Sequence, residues 1–167
     1  MIFVTVGTHE QPFDRLVSHI DQLKAQGVIT EEVIIQTGYS TYEPKHCAWS
    51  KLLPYSDMVK NVAEARIVIT HGGPSSFIMP LQVGKIPVVV PRQEKYGEHV
   101  NDHQLLFARE VETRQKNIIV VEDVNALADV LGNYDALAGA MNLGTESNNA
   151  RFVDNFSKIV DDLMEKK

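Results

Sequence analysis

Residues 67–76 read Ile-Val-Ile-Thr-His-Gly-Gly-Pro-Ser-Ser. The first four, residues 67–70, are apolar or β-branched without polar alternation, which predicts a strand buried on both faces. Pro74 favours the first position of a helix, because its fixed φ suits that position and its missing N–H has no partner to lose there. We therefore predict a helix over residues 74–83. A strand that turns at once into a helix is part of a βαβ unit.

The alternation of strand and helix continues in both directions from this segment. Apolar runs rich in Val and Ile predict strands at 2–6, 33–36, 67–70, 87–90 and 118–121. Amphipathic stretches predict helices at 57–65, 74–83, 102–112, 124–131 and 150–165, and one that follows the first strand and ends near Gly27. A short extra strand is expected near 51–53. We predict a doubly wound, mostly parallel, Rossmann-like α/β sheet in one domain, 1–167, whose last helix, 150–167, packs on the core or on a partner.

The composition is that of an ordinary globular protein. Apolar residues make up 44% and charged residues 23%, which argues against an intrinsically disordered chain. The 22 acidic and 16 basic residues give a formal net charge of −6, which argues against a basic nucleic-acid-binding protein. Nine acidic and four basic residues fall in 122–167, so the rest of the chain is nearly neutral. The single cysteine, Cys47, suits a reducing cytoplasm, and no apolar run approaches the ~20 residues that cross a bilayer.

The turn after the strand at 67–70 carries the best candidate for an anion site. Gly72 and Gly73 leave the backbone open, and Ser75 and Ser76 add hydroxyls to the exposed amides of the following helix. Free N–H groups and the positive end of the helix dipole favour phosphate. The simpler alternative is that Ser75 only caps the helix. No lysine follows the glycines at the spacing of a Walker loop, so the segment is not a P-loop.

Two other strand exits carry polar groups at the same edge of the predicted sheet. The first strand is followed by Gly7-Thr8-His9, which alone is equally consistent with a plain turn. In the long connection 91–104, Arg92 can pair with a phosphate or carboxylate and Gln104 can hydrogen-bond a sugar hydroxyl, or both can be solvated residues at the rim. His99 and His103 stand four residues apart, but no third ligand is evident, so we predict no metal site.

Together these segments resemble the C-terminal domain of glycosyltransferase family 28, which is the donor-binding half of a GT-B enzyme. The resemblance spans about residues 1–131 and rests on five short motifs. These are Gly7-Thr8, Phe13-Asp14-Arg15-Leu16, Ile69-Thr70-His71-Gly72-Gly73, Gly84-Lys85-Ile86-Pro87 and Asn101-Asp102-His103-Gln104. The chain is also similar to single-domain catalytic subunits, namely that of the dolichol-pathway UDP-N-acetylglucosamine transferase and its bacterial counterparts in capsule and exopolysaccharide synthesis.

The resemblance implies a set of donor-binding residues. The amides of the glycine pair and the two serines would hold the donor diphosphate, the first strand exit would approach it, and the later loop would contact the sugar. The implied set is Gly7, Thr8, Gly72, Gly73, Ser75, Ser76, Arg92, Gln93, His103 and Gln104. Many relatives hold the ribose with a Glu late in the helix after the glycines. This chain has Met79 there, which leaves Glu94 or Glu98 as substitutes.

The resemblance also implies that the chain is half of an enzyme. In a GT-B protein the acceptor site, and often the general base, lie in the other half, which these relatives obtain from a membrane-anchored partner subunit. His9 and His71 are candidates for catalysis because histidine titrates near neutral pH. They can equally orient phosphate or close a turn, in which case the base lies on the partner.

The expected function is that of the catalytic, donor-binding subunit of a split, inverting glycosyltransferase. It would move a hexose from a UDP-sugar to a lipid-linked saccharide in exopolysaccharide or capsule synthesis, at the cytoplasmic face of the membrane and without a metal or cofactor. The alternative is a non-catalytic adaptor subunit that binds the nucleotide sugar. Both alternatives exclude nucleic acid as a partner and allow a homo-oligomer.

Overall fold

Residues 1–141 are described by a computed structural model. Within them six strands pair in parallel in the order β3-β2-β1-β4-β5-β6. The strands are β1 (Ile2–Thr5), β2 (Val33–Gln36), β3 (Ala48–Ser50), β4 (Ile67–His71), β5 (Val88–Val90) and β6 (Ile119–Val120). This is the strand order of the doubly wound Rossmann sheet, so the predicted fold class is confirmed.

Helices follow most of the strands, as the sequence pattern predicts. They are α1 (Asp14–Ala25), α2 (Tyr55–Glu64), α3 (Pro74–Gln82), α4 (His103–Gln115), α5 (Leu127–Gly132) and α6 (Tyr134–Gly139). Two short 3₁₀ turns lie at Glu94–Tyr96 and Val124–Ala126. None of these described helices combines the length and apolar character that a membrane crossing requires.

Helices cover both faces of the sheet because its central strands are apolar on both sides. On one face Leu16 and Ile20 of α1 pack in the largest apolar cluster, which also contains Val4 of β1. On the other face Phe3 of β1 packs with Val62 of α2. Each such side chain contributes about 1.5–3 kcal/mol when it is removed from water. The sheet is therefore a rigid platform for the loops at its edges.

The edge strand β3 departs from its predicted position. It lies at Ala48–Ser50, three residues before the expected 51–53, and only its central residue, Trp49, is partly buried. A three-residue edge strand with two exposed positions leaves almost no hydrophobic pattern in the sequence. Helix α6 is a second element that the pattern does not predict. The helix expected at 150–165 lies outside the described residues.

The topological switch point lies between β1 and β4. From β1 the chain turns to β2 and β3 on one side, and it returns to build β4, β5 and β6 on the other side. The ends of β1 and β4, at Thr5 and His71, are therefore neighbours at the carboxyl edge of the sheet. Open sheets of this kind bind ligands in the crevice at this point.

Candidate functional site

A cavity of about 650 Å³ opens at this switch point. It has a polar end, formed by the exits of β1 and β4, and a more apolar side formed by α2 and α3. Its lining residues are Thr5, Gly7, Thr8, His9, Gln36, Leu53, Tyr55, Met58, Val62, His71, Ser75, Ser76 and Met79. Six residues predicted from the sequence thus meet around one cavity: Gly7, Thr8, His9, His71, Ser75 and Ser76.

The imidazole of His71 packs between two glycines at the polar end. A Cβ on Gly7 would lie 2.5 Å from Cε1 of this ring, and a Cβ on Gly73 would overlap Nε2. Gly7 also has φ +75°, which disfavours any side chain. The two glycines therefore let the backbones of both strand exits approach the imidazole ring.

His71 is a neutral group in the folded protein. Its side chain is almost entirely buried, and this burial, together with the positive charge of nearby Arg92, lowers the pKa of His71 to about 4. Its Nε2 lies 3.4 Å from the hydroxyl oxygen of Ser76. A neutral imidazole can donate or accept a hydrogen bond here, so His71 can orient the Ser76 hydroxyl at the start of α3.

The first turn of α3 presents hydroxyls to the cavity. Gly73 is extended at the N-cap position and Pro74 is the first helical residue, as predicted. The amide of Ser76 donates to the carbonyl of Gly73 at 3.0 Å, so this amide is already used inside the turn. Ser75 and Ser76 line the cavity at the positive end of the helix dipole. Anions are favoured at such a position.

Four apolar or aromatic residues of the cavity are absent from the sequence-predicted set. Leu53 follows β3, whereas Tyr55, Met58 and Val62 lie on α2. For the three residues on α2, the amphipathic pattern of that helix is the only sequence signal, and it does not tell which of its side chains face a cavity. With Met79 of α3 they make one side of the cavity suited to a flat, apolar group.

His9 lies at the cavity between two partners. Its Nε2 is 3.0 Å from Oε1 of Gln11, and its ring centroid is 4.7 Å from that of His99. The amide oxygen of Gln11 accepts a hydrogen bond, so this contact favours the tautomer of His9 with the proton on Nε2. His9 is thereby oriented at the polar end of the cavity.

Residues 1–131 match the family model described as the glycosyltransferase family 28 C-terminal domain. The chain belongs to this glycosyltransferase family. The UDP-N-acetylglucosamine transferase subunit ALG13 of Homo sapiens is 33% identical in an alignment of 119 residues that covers 66% of this chain and 10% of that protein. The crystal structure of the glycosyltransferase SnogD from Streptomyces nogalater matches with a TM-score of 0.55 and 19% identity, over 82% of this chain and 35% of that chain.

The family 28 chain thus spans about a tenth of the curated relative and about a third of the solved structure. The structural likeness at this low identity concerns the fold alone. Together with the all-parallel sheet, it confirms the expected equivalence to the C-terminal half of a GT-B glycosyltransferase.

Arg92 of this family 28 domain lies away from the cavity. Its side chain is fully buried, and its guanidinium donates to the carbonyls of Val6 at 2.9 Å, Gln11 at 2.7 Å and Glu98 at 3.1 Å, and more distantly to Pro12 at 3.4 Å. The placement of this side chain therefore does not support the expected contact with a donor sugar or phosphate. Arg92 ties the exit of β1 to the loop after β5.

Glu98 is likewise engaged elsewhere. Its carboxylate accepts from Arg15 at 2.7 and 2.9 Å and from the amide of Gln93 at 3.1 Å. Only 4% of the Glu98 side chain is exposed, so it is not available to replace the missing ribose carboxylate. Glu94 is exposed in the 3₁₀ turn and also stands outside the cavity lining. The interpretation of Glu94 or Glu98 as the ribose ligand is not supported by their placement.

The remaining predicted residues cluster around α4. Gln93 is buried and donates its side-chain amide to the carbonyl of Glu122 at 2.8 Å. His103 is exposed and stacks on Phe107, with ring centroids 6.3 Å apart. The oxygen Oε1 of Gln104 accepts from the amide of Arg92 at 3.4 Å. None of the three lines the cavity.

Gly72 and Gly73 also lie outside the cavity lining. A Cβ on Gly72 would lie 2.9 Å from Cβ of Gln104, so this glycine allows the start of α4 to pack closely on the turn before α3. Among residues 1–141, no three His, Cys, Asp or Glu side chains come together as a metal site.

Proposed function

We propose that this family 28 domain is the catalytic, donor-binding half of a split, inverting glycosyltransferase that takes a hexose from a UDP-sugar. The observation that carries the proposal is the two-sided cavity at the switch point, with its polar end at the start of α3 and its apolar side along α2. A nucleoside diphosphate has the same division, since its phosphates are charged and its base is flat and weakly polar.

The polar end suits the diphosphate. The hydroxyls of Ser75 and Ser76 and the positive end of the α3 dipole face the space next to Gly7 and Thr8. During transfer the bond between the sugar and the diphosphate breaks, and negative charge develops on the departing UDP. Fixed dipoles and hydroxyls stabilise this charge without reorganising. The proposed reaction needs no metal or cofactor.

The apolar side suits the uridine. Tyr55 and Leu53 offer flat and apolar surface for the base, and Met79 lines the same side. The family resemblance puts Met79 at the position of a ribose-binding carboxylate. Beneath them, Oγ1 of Thr5 donates to Oε1 of Gln36 at 3.3 Å. Gln36 lines the same cavity, so its carboxamide is one polar group on this side that the nucleoside could contact.

The acceptor half is proposed to come from a separate, membrane-anchored subunit that presents a lipid-linked saccharide at the cytoplasmic membrane face. The ALG13 relative is named as a subunit of a UDP-N-acetylglucosamine transferase. Large apolar side chains are exposed beside the carboxyl edge of the sheet: Tyr55 is 75%, Val100 68% and Leu106 62% exposed. We take these three side chains as candidates for contact with the partner subunit. Capsule or exopolysaccharide synthesis is the setting that we propose for this pair.

The two histidines take different parts in this proposal. His71 stays neutral and orients Ser76 toward the diphosphate. His9, held by Gln11 and His99, is the histidine at the cavity from which a proton can move to or from a bound substrate. A base on the partner subunit is the alternative.

The variant Ser76→Asp tests the donor site. A carboxylate beside the diphosphate is expected to weaken UDP binding more than ten-fold in isothermal calorimetry, because like charges in contact cost several kcal/mol. Thr113→Asp adds the same charge on the exposed face of α4 and serves as the matched control. Circular dichroism checks that both variants fold. Equal UDP affinity in Ser76→Asp and Thr113→Asp would contradict the assignment.

A second experiment separates a transferase from an adaptor. UDP release from UDP-hexose is followed with this chain alone, with the membrane partner alone and with both. Release by the pair only is expected for a split transferase. Binding of the UDP-sugar without release in any combination would instead support the adaptor.

A further inference from the structure

A second cavity, of about 290 Å³, opens next to the proposed donor site. It is lined by residues 38–43 after β2, by Trp49 of β3, and by Lys51 and Leu52. A Cβ on Gly38 would overlap the carbonyl oxygen of Gly7, and Gly7 lines the first cavity. The backbone at Gly7 and the backbone at Gly38 are therefore in direct contact, and this contact lies between the two cavities. Both cavities open at the same edge of the sheet.

The walls of the second cavity are rich in aromatic rings. Tyr39 is 56% exposed, and Tyr42 and Trp49 are partly buried. Tyr42 and Trp49 also pack against the main apolar cluster, which fixes the positions of their rings. Rings of this kind offer apolar faces together with polar edges.

Polar groups stand beside these rings without partners. In the part of the chain that the structure describes, the side chains of Tyr39, Glu43 and Lys51 make no hydrogen bond or ion pair. They supply a hydroxyl, a carboxylate and an ammonium group to the cavity. The Tyr42 hydroxyl, by contrast, is engaged, because it donates to Asp21 at 2.9 Å.

The loop that forms this cavity is held in place by two carboxylates of α1. Asp14 accepts from the amides of Thr41 and Tyr42 at 2.7 and 3.0 Å. Asp21, which is buried, accepts from the amides of Lys45 and His46 at 3.0 and 2.7 Å. A cavity whose walls are fixed before binding loses little conformational entropy when a ligand enters.

We propose that this second cavity is a saccharide subsite that holds part of the acceptor next to the donor cavity. The inference rests on the proposed function of the first cavity: the partner subunit would present the lipid-linked acceptor, and this chain would hold one of its sugar units at the same edge. Pyranose rings present apolar C–H faces and hydroxyl edges, which match aromatic walls with free polar groups. The volume, just below the usual range for ligand pockets, suits a small saccharide unit.

The chain offers its own reporter for this proposal, because Trp49 is its single tryptophan. Lactose, cellobiose and N-acetylglucosamine are titrated separately while the fluorescence of Trp49 is followed. UDP binding is measured by calorimetry on the same samples. We expect a saturable fluorescence change with at least one of the three saccharides, and an unchanged affinity for that saccharide when UDP is present.

Two tyrosine variants separate the sites. Tyr39→Ala is expected to weaken the saccharide response about five-fold, the loss of one aromatic contact, and to keep the wild-type affinity for UDP. Tyr55→Ala is expected to weaken UDP binding and to keep the saccharide response. Circular dichroism confirms that both variants fold.

The outcomes are distinguishable. No fluorescence response to any of the three saccharides would overturn the subsite, whatever the protein does with UDP. Competition between saccharide and UDP would also overturn it, since both would then occupy one cavity. A protein that binds saccharide but not UDP would leave the subsite intact and contradict the proposed function of the first cavity.

Discussion

The imidazole of His71 fills the space that a Cβ on Gly73 would occupy. Gly7 meets the same ring from the end of β1, since a Cβ there would lie 2.5 Å from Cε1 of His71. The same side chain therefore explains why glycine is required both after β1 and at the second glycine of the His-Gly-Gly turn. The packing of one side chain determines how closely the two backbone segments of the proposed phosphate site approach each other.

Gly73→Ala tests this packing. The added methyl group overlaps His71, and overpacking of this kind costs about 1–3 kcal/mol, which urea unfolding measures. UDP affinity in calorimetry is expected to fall as well, because the turn before α3 must shift. Gly139→Ala is the matched control, since a Cβ at Gly139 meets nothing within 4 Å. Removing the ring in Gly73→Ala/His71→Ala is expected to relieve the overlap. A destabilisation by Gly73→Ala that is the same with and without His71 would contradict this account.

His71 is expected to make stability depend on pH. Its pKa in the folded protein is about 4, below the ordinary value of about 6.5 that applies in the unfolded chain. The unfolded chain therefore binds the proton first, and the free energy of unfolding decreases as the pH falls from about 6.5 to 4. This difference in pKa corresponds to roughly 3 kcal/mol.

Urea unfolding at several pH values measures this dependence. His71→Gln is expected to lose stability less steeply than the wild type between pH 6.5 and 4. His46→Gln changes an exposed residue and is expected to lose stability as steeply as the wild type. Parallel curves for the wild type and His71→Gln would show that the ring is not held neutral.

Arg92 is expected to contribute to the free energy of unfolding rather than to donor binding. Arg92→Met leaves the carbonyls of Val6, Gln11 and Glu98 without their donor inside the protein. Unsatisfied buried acceptors each cost about 1–3 kcal/mol, so the unfolding free energy should fall by about 3 kcal/mol or more. Arg109→Met removes an exposed arginine and its ion pair with Glu122, and little change is expected. Arg92→Met with wild-type stability and weakened UDP binding would instead return Arg92 to the donor site.

Met79→Glu tests whether the uridine lies along α3. A carboxylate at this position is expected to accept from ribose hydroxyls and to tighten UDP binding about five-fold, since a hydrogen bond to a charged group contributes about 1.5–3 kcal/mol before desolvation. Calorimetry with 2′,3′-dideoxy-UDP is the control, because this analogue lacks the hydroxyls and should gain nothing. An equal gain for both nucleotides would place the ribose elsewhere, and Met79→Gln distinguishes the charge from the shape.

Much of the fold is visible in the sequence because buried parallel strands are continuous apolar runs. The cores of β1, β2 and β4 follow such runs, and Pro74 marks the start of α3. β3 is less visible because only Trp49 of its three residues turns toward the core. An edge strand of this length is determined by its pairing with β2, and pairing partners are not encoded in local periodicity.

The site is predicted in part for the same reason. Ser75 and Ser76 follow a strand at the carboxyl edge, and the topology alone brings them together with Gly7 and Thr8. Arg92 also follows a strand, but its charge does not reveal that main-chain carbonyls distant in sequence surround it. The apolar side of the cavity could not be predicted, because it forms only when α2 packs over the sheet. No short sequence motif indicates that packing.

The contacts of Arg92 have a consequence for how this sequence can change over evolutionary time. Its partners are main-chain carbonyls of Val6, Gln11, Pro12 and Glu98, and every residue type carries a carbonyl. The accepting positions can therefore exchange their side chains without losing these bonds, whereas the donor has no substitute with the same reach and number of N–H groups. The hydrogen bonds to these carbonyls therefore depend on the side chain at position 92, whatever else constrains Val6, Gln11 and Glu98.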